Sequence, residues 1–404
     1  MIRTNKTRHP IFYRPRRKTR RQRKYPLRGP DTAKHNPRLK GLQKMRILYA
    51  SDMHGNFDKL ETFCQHAEQS KPDLIVLAGD LSDVAYKDQG LIQQHMELSE
   101  ILFQYALQYE PGMKRLKPHE FRRVLPIVAE KIYEKPMNKS LEQLAEKYLK
   151  ILDFFDGNMN IRYDLIGSMM KKHGLEFKTY PGNHDKDLQR TSLKDSNAHK
   201  RTLNLDGLLI SFFGSANEIR YGDIVLMGTP AELTMPFAEY LNQEGKLVSE
   251  VFNFLNKEKP DVAFTHAPPK GCRDFMIHPK TKQPVSKGSP GLERYVHQGD
   301  TRLLCCGHMH ESVGAEKIDS EKGPVVVFNA GSLSDGFFGE LVIDEGSKKM
   351  DKVSLYKIKN RLILPPGMTG SADGGEACKI ITYFLTPENE LKKMKIDLEE
   401  KYDY

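Results

Sequence analysis

Cysteine is scarce in this chain, with five in 404 residues, and none stands in the CxxC spacing of a zinc site. Cys64, Cys272, Cys305, Cys306 and Cys378 are too scattered for a disulfide framework, so reduced core thiols and a cytoplasmic location are expected. Long apolar runs are missing too. The longest, such as Leu74–Ala78 and Val325–Phe328, are strand-sized, far short of the roughly 18 residues that cross a bilayer. The first residues carry no apolar segment, which argues against a secretory leader. Acidic residues are almost absent from residues 1–44, where Asp31 alone stands against 16 Lys/Arg. The rest of the chain holds 47 basic and 52 acidic residues, so its body is mildly acidic despite the net charge of +10. Composition therefore excludes a basic nucleic-acid groove across the body.

Residues 1–44 include the run Arg14-Pro15-Arg16-Arg17-Lys18-Thr19-Arg20-Arg21-Gln22-Arg23-Lys24, and prolines at 10, 15, 26, 30 and 37 deny it a long helix. Like charges at this density repel, and there is little to bury, so a basic disordered tail is expected. Three readings compete for it: electrostatic binding of nucleic acid, a targeting segment, or a true start at Met45, where the strand Arg46–Ala50 begins at once. From residue 45 short apolar strands alternate with helices. Strands are expected near 45–50, 74–78, 177–180, 203–205, 208–213, 224–227, 261–265, 302–306, 325–329, 339–343 and 353–358. A helix is expected over 57–69. Residues 91–109, 141–155 and 161–173 read as further helices, with Ser140–Gln143 as a capping box and Gly174 as a helix stop. About a hundred residues separate the strands on either side of this region, where a crossover needs about thirty. The excess, about 86–156, is expected to be a helical insertion that caps a site, mediates dimerisation or packs with no functional role. Residues 359–404 form a C-terminal extension with a Gly/Pro-rich loop and a charged helix over 388–400. No internal repeat is found.

Five motifs each follow a short apolar strand: Asp52-Met53-His54; Gly79-Asp80-Leu81-Ser82-Asp83; Gly182-Asn183-His184-Asp185; His266 in Thr265–Pro268; and Gly307-His308-Met309-His310. Each alone is weak, since Gly-Asp is a common turn pair and a lone His is usually an ordinary loop or core residue. Strands of one sheet, however, deliver their ends to a common edge. That edge would gather two aspartates, one asparagine and four histidines, besides His184. Oxygen and imidazole donors without thiolate favour Mn, Fe, Zn or Ni over Ca or Mg. The donors exceed the needs of one ion, so two divalent ions sharing a carboxylate are expected. Two such ions, two aspartates and a hydroxide leave about +1, suited to an anionic phosphate.

The ordered set Asp-x-His, Gly-Asp-x-x-Asp, Gly-Asn-His-Asp, His, Gly-His-x-His resembles the signature of the calcineurin-like metallophosphoesterases over about residues 45–358. Leu48–Asn56, Thr265–Pro269, Cys306–Ser312 and Asn329–Ser332 look most like the prokaryotic cyclic-phosphodiesterase-like branch. The resemblance implies an α/β fold of two mixed β-sheets packed as a sandwich and flanked by helices. It implies a phosphate-ester substrate, phosphodiester or phosphomonoester, hydrolysed by in-line attack of a metal-bridging hydroxide. By the same resemblance Asp52, His54 and His310 hold one metal, Asn183, His266 and His308 the second, and Asp80 bridges them. His184 would protonate the leaving oxygen, Asp185 would orient His184, and Asp83 would support the turn holding Asp80. A nuclease recruited by the basic tail and a non-catalytic scaffold are the alternatives. Outside the motifs, Arg220 and Tyr221, and a basic loop at 274–291, are candidates to meet substrate.

Overall fold

The structure, a computed structural model, describes residues 44–82, 89–109, 118–136, 138–216, 233–278, 281–359, 376–385 and 391–395. The basic tail, Asp83, Arg220, Tyr221 and the strand expected at 224–227 lie outside these residues. The order begins β1 (Lys44–Ser51), α1 (Phe57–Ser70), β2 (Leu74–Ala78), α2 (Gln89–Tyr109), α3 (Pro118–Glu134), α4 (Lys139–Lys172) and β3 (Lys178–Tyr180). It continues with β4 (Arg201–Leu205), β5 (Leu208–Phe213), β6 (Glu239–Leu241), β7 (Leu247–Ser249), α5 (Glu250–Glu258), β8 (Val262–Thr265), β9 (Phe275–Ile277), β10 (Pro284–Ser286) and α6 (Pro290–Gln298). It closes with β11 (Leu303–Cys306), β12 (Gly314–Ile318), β13 (Val325–Asn329), β14 (Phe337–Asp344), β15 (Lys349–Lys359), β16 (Glu376–Leu385) and β17 (Leu391–Lys395).

Two mixed sheets form the frame. Sheet one runs β17-β16-β15-β14-β1-β2-β3, and sheet two runs β12-β13-β11-β8-β5-β4. The pairs β1–β2 and β2–β3 are parallel, as are β5–β8, β8–β11 and β11–β13. Strand β1 shows why the sandwich forms. Its side chains alternate between faces: Met45, Ile47 and Tyr49 enter the layer between the sheets, while Leu48 and Ala50 enter the layer under the helices. Both faces are buried, which is why the strand reads as a continuous apolar run. Between the sheets, Tyr49 packs on Phe264 at 5.3 Å, and Phe264 stacks on Phe212 at 5.4 Å between ring centroids.

Several segments depart from the sequence expectation, which also lacks α3, α5, α6, β12 and β16. The two helices expected over 141–155 and 161–173 are one 34-residue helix, α4. The helix is continuous because Phe155, Met159, Tyr163 and Ile166 are buried along one stripe, which offsets the poor helix propensity of Gly157. Its N-cap is Asn138, whose side chain accepts from the Leu141 N–H at 2.9 Å, rather than Ser140. The charged helix expected over 388–400 is, across Leu391–Lys395, the strand β17, paired antiparallel with β16. Among the described residues no helix is long and apolar enough to cross a membrane. Cys64, Cys272, Cys305 and Cys306 are free and buried.

Gly157 sits on an exposed stretch of α4 with open space where a Cβ would stand. Gly157→Ala should therefore stabilise the protein by about 0.5–1 kcal/mol in a urea unfolding curve. At the other end of α4, His173 meets Glu61 of α1 at 3.0 Å and Glu68 at 3.1 Å. Burial lowers its pKa, but the two carboxylates outweigh burial and leave it raised. Its contribution is thus present below the unfolded value near pH 6.5 and lost as pH rises through the folded one. His173→Ala should cost about 0.5–1 kcal/mol at pH 6 and much less at pH 9, read from the same unfolding curves.

Candidate metal centre

The five motifs do meet at one edge of the sandwich. Asp52 and His54 follow β1, Asp80 follows β2, Asn183 and His184 follow β3, His266 follows β8, and His308 and His310 follow β11. Backbone bonds stitch these strand ends together. The N–H groups of Asp52 and His54 donate to the carbonyls of Gly79 and Asp80, Gly79 donates to Tyr180, and Gly307 donates to His266. The turns are sharp. Asp52, His54, Asp80 and His308 all have positive φ, between 47° and 67°. Non-glycine residues adopt this region at a cost of roughly 1–3 kcal/mol each, and such strain gathers at functional sites. Glycine is required where the ends touch. A Cβ on Gly182 would stand 2.1 Å from Asp80 Oδ1, and one on Gly307 would stand 2.3 Å from Asp52 Oδ2.

Two groups of donor atoms result: Asp52, His54 and His310, and Asp80, His266 and His308, with the atoms of each group within 4.8 Å of one another. In the first, His310 Nε2 lies 3.4 Å from Asp52 Oδ1 and 3.2 Å from His54 Nε2. In the second, His266 Nε2 lies 3.2 Å from Asp80 Oδ2 and 2.9 Å from Asn183 Oδ1, so Asn183 joins this group. The groups adjoin, since the His308 N–H donates to Asp52 Oδ2 at 2.9 Å.

These residues fit metal ions on the strength of their own bonding. Asp52 Oδ2 accepts from Ser51 and His308, whereas Oδ1 is buried and receives no donor. His308 Nε2 is likewise buried without a partner. Buried polar atoms are rarely left so unless an ion or water completes them. Burial pushes the Asp52 carboxyl up, yet His266 and His310 override it and hold Asp52 well below the usual carboxylate range. Asp80 is treated the same way: burial raises it, and His266 and then His184 bring it well below. Burial, reinforced by His266, depresses His308 to about 3, so it stands as a neutral imidazole, the ligating form.

His184 sits at the edge of this cluster. Its backbone N–H donates to Asp80 Oδ1 at 2.7 Å, and its ring meets that of His54 edge-on at 5.7 Å. Asp185 binds the turns on either side of the cluster. Its buried carboxylate accepts from the N–H groups of Leu81, Ser82 and Gly182 and from the Tyr163 hydroxyl at 3.0 Å. It joins the two turns that carry Asp80 and Asn183, and so places His184 through the backbone. The sequence motifs gave no sign of Tyr163, which lies mid-helix in α4. Ser332 ends the Asn329–Ser332 segment of the resemblance, which assigned it no role; its hydroxyl donates to the Asp52 carbonyl at 2.8 Å. A second strap from α4 is Asp156, 2.6 Å from Lys186 Nζ.

A family model described as calcineurin-like phosphoesterase matches residues 45–111 and 139–312, more than half of the chain. The chain belongs to this family. The calcineurin-like phosphoesterases are metal-dependent phosphoester hydrolases that bind divalent ions, and the two donor groups are the candidate ligand sets of this member. The match skips 112–138, and it ends before β12. Among curated proteins none matches the chain. Similar solved structures include one from Thermus thermophilus, 14% identical, covering 76% of this chain and 98% of its own, with TM-score 0.36. A dimetal phosphatase from Danio rerio is 9% identical, with coverage of 83% and 98% and TM-score 0.38. A purple acid phosphatase from yellow lupin (Lupinus luteus) seeds is 10% identical, with coverage of 79% and 52% and TM-score 0.32.

Because Tyr163 anchors the turn bearing Asn183, Tyr163→Phe should cost about 1–2 kcal/mol of stability. It should also weaken Mn2+ uptake at the Asn183 group ahead of the Asp52 group, measured by calorimetric titration of the folded variant.

Proposed function

We propose that this phosphoesterase hydrolyses a phosphodiester or phosphomonoester at a dinuclear centre. The observation that carries the reading is the convergence of seven donor side chains from five strand ends, with Asp52 Oδ1 and His308 Nε2 buried and unpartnered. Asp52, His54 and His310 would hold one divalent ion, Asn183, His266 and His308 the other, and Asp80 both. Donors of oxygen and imidazole type favour Mn, Fe, Zn or Ni. Bound there, the ions supply a nucleophile at neutral pH and Lewis acidity toward phosphoryl oxygens.

The chain's own side chains supply the rest. The turns fix the donors before substrate arrives, so no reorganisation accompanies the reaction. His184, fixed by its N–H bond to Asp80, gives its ring proton to the departing ester oxygen as phosphorus is attacked in line from the opposite side. Asp185 and Tyr163 keep that turn in place. Free buried thiols accord with a reducing, cytoplasmic location. No observation on the described residues favours the nuclease or the scaffold reading, and the basic residues 1–44 bear on neither here.

Asp80→Asn should abolish activity and deplete bound metal, read by elemental analysis of the purified variant. His184→Ala should keep its metal and lose about 10²–10⁴-fold in turnover of bis-p-nitrophenyl phosphate. Loss of metal from His184→Ala would refute the acid role. Comparing that diester with p-nitrophenyl phosphate on metal-reconstituted protein separates diesterase from monoesterase, and inertness toward both would refute the hydrolase.

A further inference from the structure

The two sheets do not end together. Sheet two stops at β12, whereas sheet one continues past β15 into β16 and β17. Side chains two residues apart share a strand face, so Ile381 and Tyr383 of β16 lie on one side of the sheet, as do Leu391 and Lys393 of β17. That side faces the layer between the sheets. Leu355 and Tyr383 are buried in it with Ala315 and Phe328, and Ile381 and Leu391 pack against it. Where sheet one outruns sheet two, a cavity of about 420 Å3 remains. Val313 and Ala315 cover it from the β12 side, and Phe337 contributes to its wall. Small-ligand pockets have volumes of about 300–1,000 Å3 and combine apolar walls with a few convergent polar groups.

The polar groups here are of one sign. Arg273 and Lys393 line the cavity, and no acidic side chain does so among the described residues. The Arg273 guanidinium is held by the carbonyls of Val313 at 3.3 Å and Ala315 at 2.8 Å, which fix it without neutralising it. On its Nε edge it pairs with Glu316 at 3.3 Å, so part of its charge is taken up outside the cavity lining. A Cβ on Gly314 would stand 2.8 Å from the Tyr383 hydroxyl and 3.2 Å from Arg273 Nη1, so these two donors approach the same point. Except for Arg273, every lining residue lies beyond residue 312, where the family match ends.

We propose that this cavity binds an amphipathic organic anion, with its apolar body between the overhanging strands and the β12 edge. Its anionic group meets Lys393, the Tyr383 hydroxyl and the exposed side of Arg273. The aliphatic character of Leu355, Ile381, Leu391 and Val313 suits an acyl chain, and the cations suit its carboxylate. A neutral alcohol of the same length gains the walls alone, and a small inorganic anion gains the cations alone.

The test is calorimetric titration of the full chain with decanoate, held below its micelle concentration, and with decanol. Saturable one-to-one binding of decanoate, tighter than that of decanol, is expected. Lys393→Glu, on an exposed side chain, should weaken decanoate about tenfold and leave decanol unchanged. The sequence contains no tryptophan, so Ile381→Trp places a lone reporter in the cavity, and its emission should shift with decanoate. Unsaturable binding, equal affinity for decanoate and decanol, or an unchanged affinity in folded Lys393→Glu would overturn the proposal.

Discussion

Two carboxylates, Asp52 and Asp80, are fully buried at one edge of the sandwich and are nonetheless held ionised. Burial alone would protonate them, since removing a charge from water costs several kcal/mol. Histidines from three other strand ends oppose that penalty. The arrangement works only if those ends are crowded together, and crowding dictates the rest. It requires backbone against backbone at Gly182 and Gly307, left-handed turns at Asp52, His54, Asp80 and His308, and a lattice of N–H bonds from one strand end to the next. The large apolar layer between the sheets supplies the rigidity against which this strain is held.

Much of the site was legible in the residues because its logic is local. A short apolar run followed by Asp-x-His or Gly-Asn-His-Asp marks both a buried strand and what its end carries. The continuous apolar run of β1 marked a strand buried on both faces, while the sandwich itself was implied by the family resemblance. What escaped was non-local. Tyr163 looks like one more apolar position of an amphipathic helix, and only the packing of α4 brings its hydroxyl to Asp185. The stretch Leu391–Lys395 has the charge pattern of a helix, but pairing with β16 settles it as a strand, since strand preference depends on neighbours more than on composition. The two helices expected over 141–155 and 161–173 are one helix, whose buried stripe runs through Gly157.

Helix α4 consequently supports the candidate metal centre as well as the scaffold. Through Tyr163 and Asp156 it holds Asp185 and Lys186, the two residues that follow His184. The first of these contacts is fully buried and saturates a carboxylate that would otherwise face three N–H donors alone. The insertion expected over about 86–156 thus shares a helix, α4, with the support of the turn bearing Asn183 and His184.

The outermost strand of sheet one has a bearing on solubility. An unpaired strand edge is a template on which another chain can extend the sheet. In β17, three of five residues are lysines: Lys392, Lys393 and Lys395. A second copy approaching in register would set cations beside cations. Among the described residues β17 is an outer edge of sheet one, and its lysines oppose extension of the sheet there.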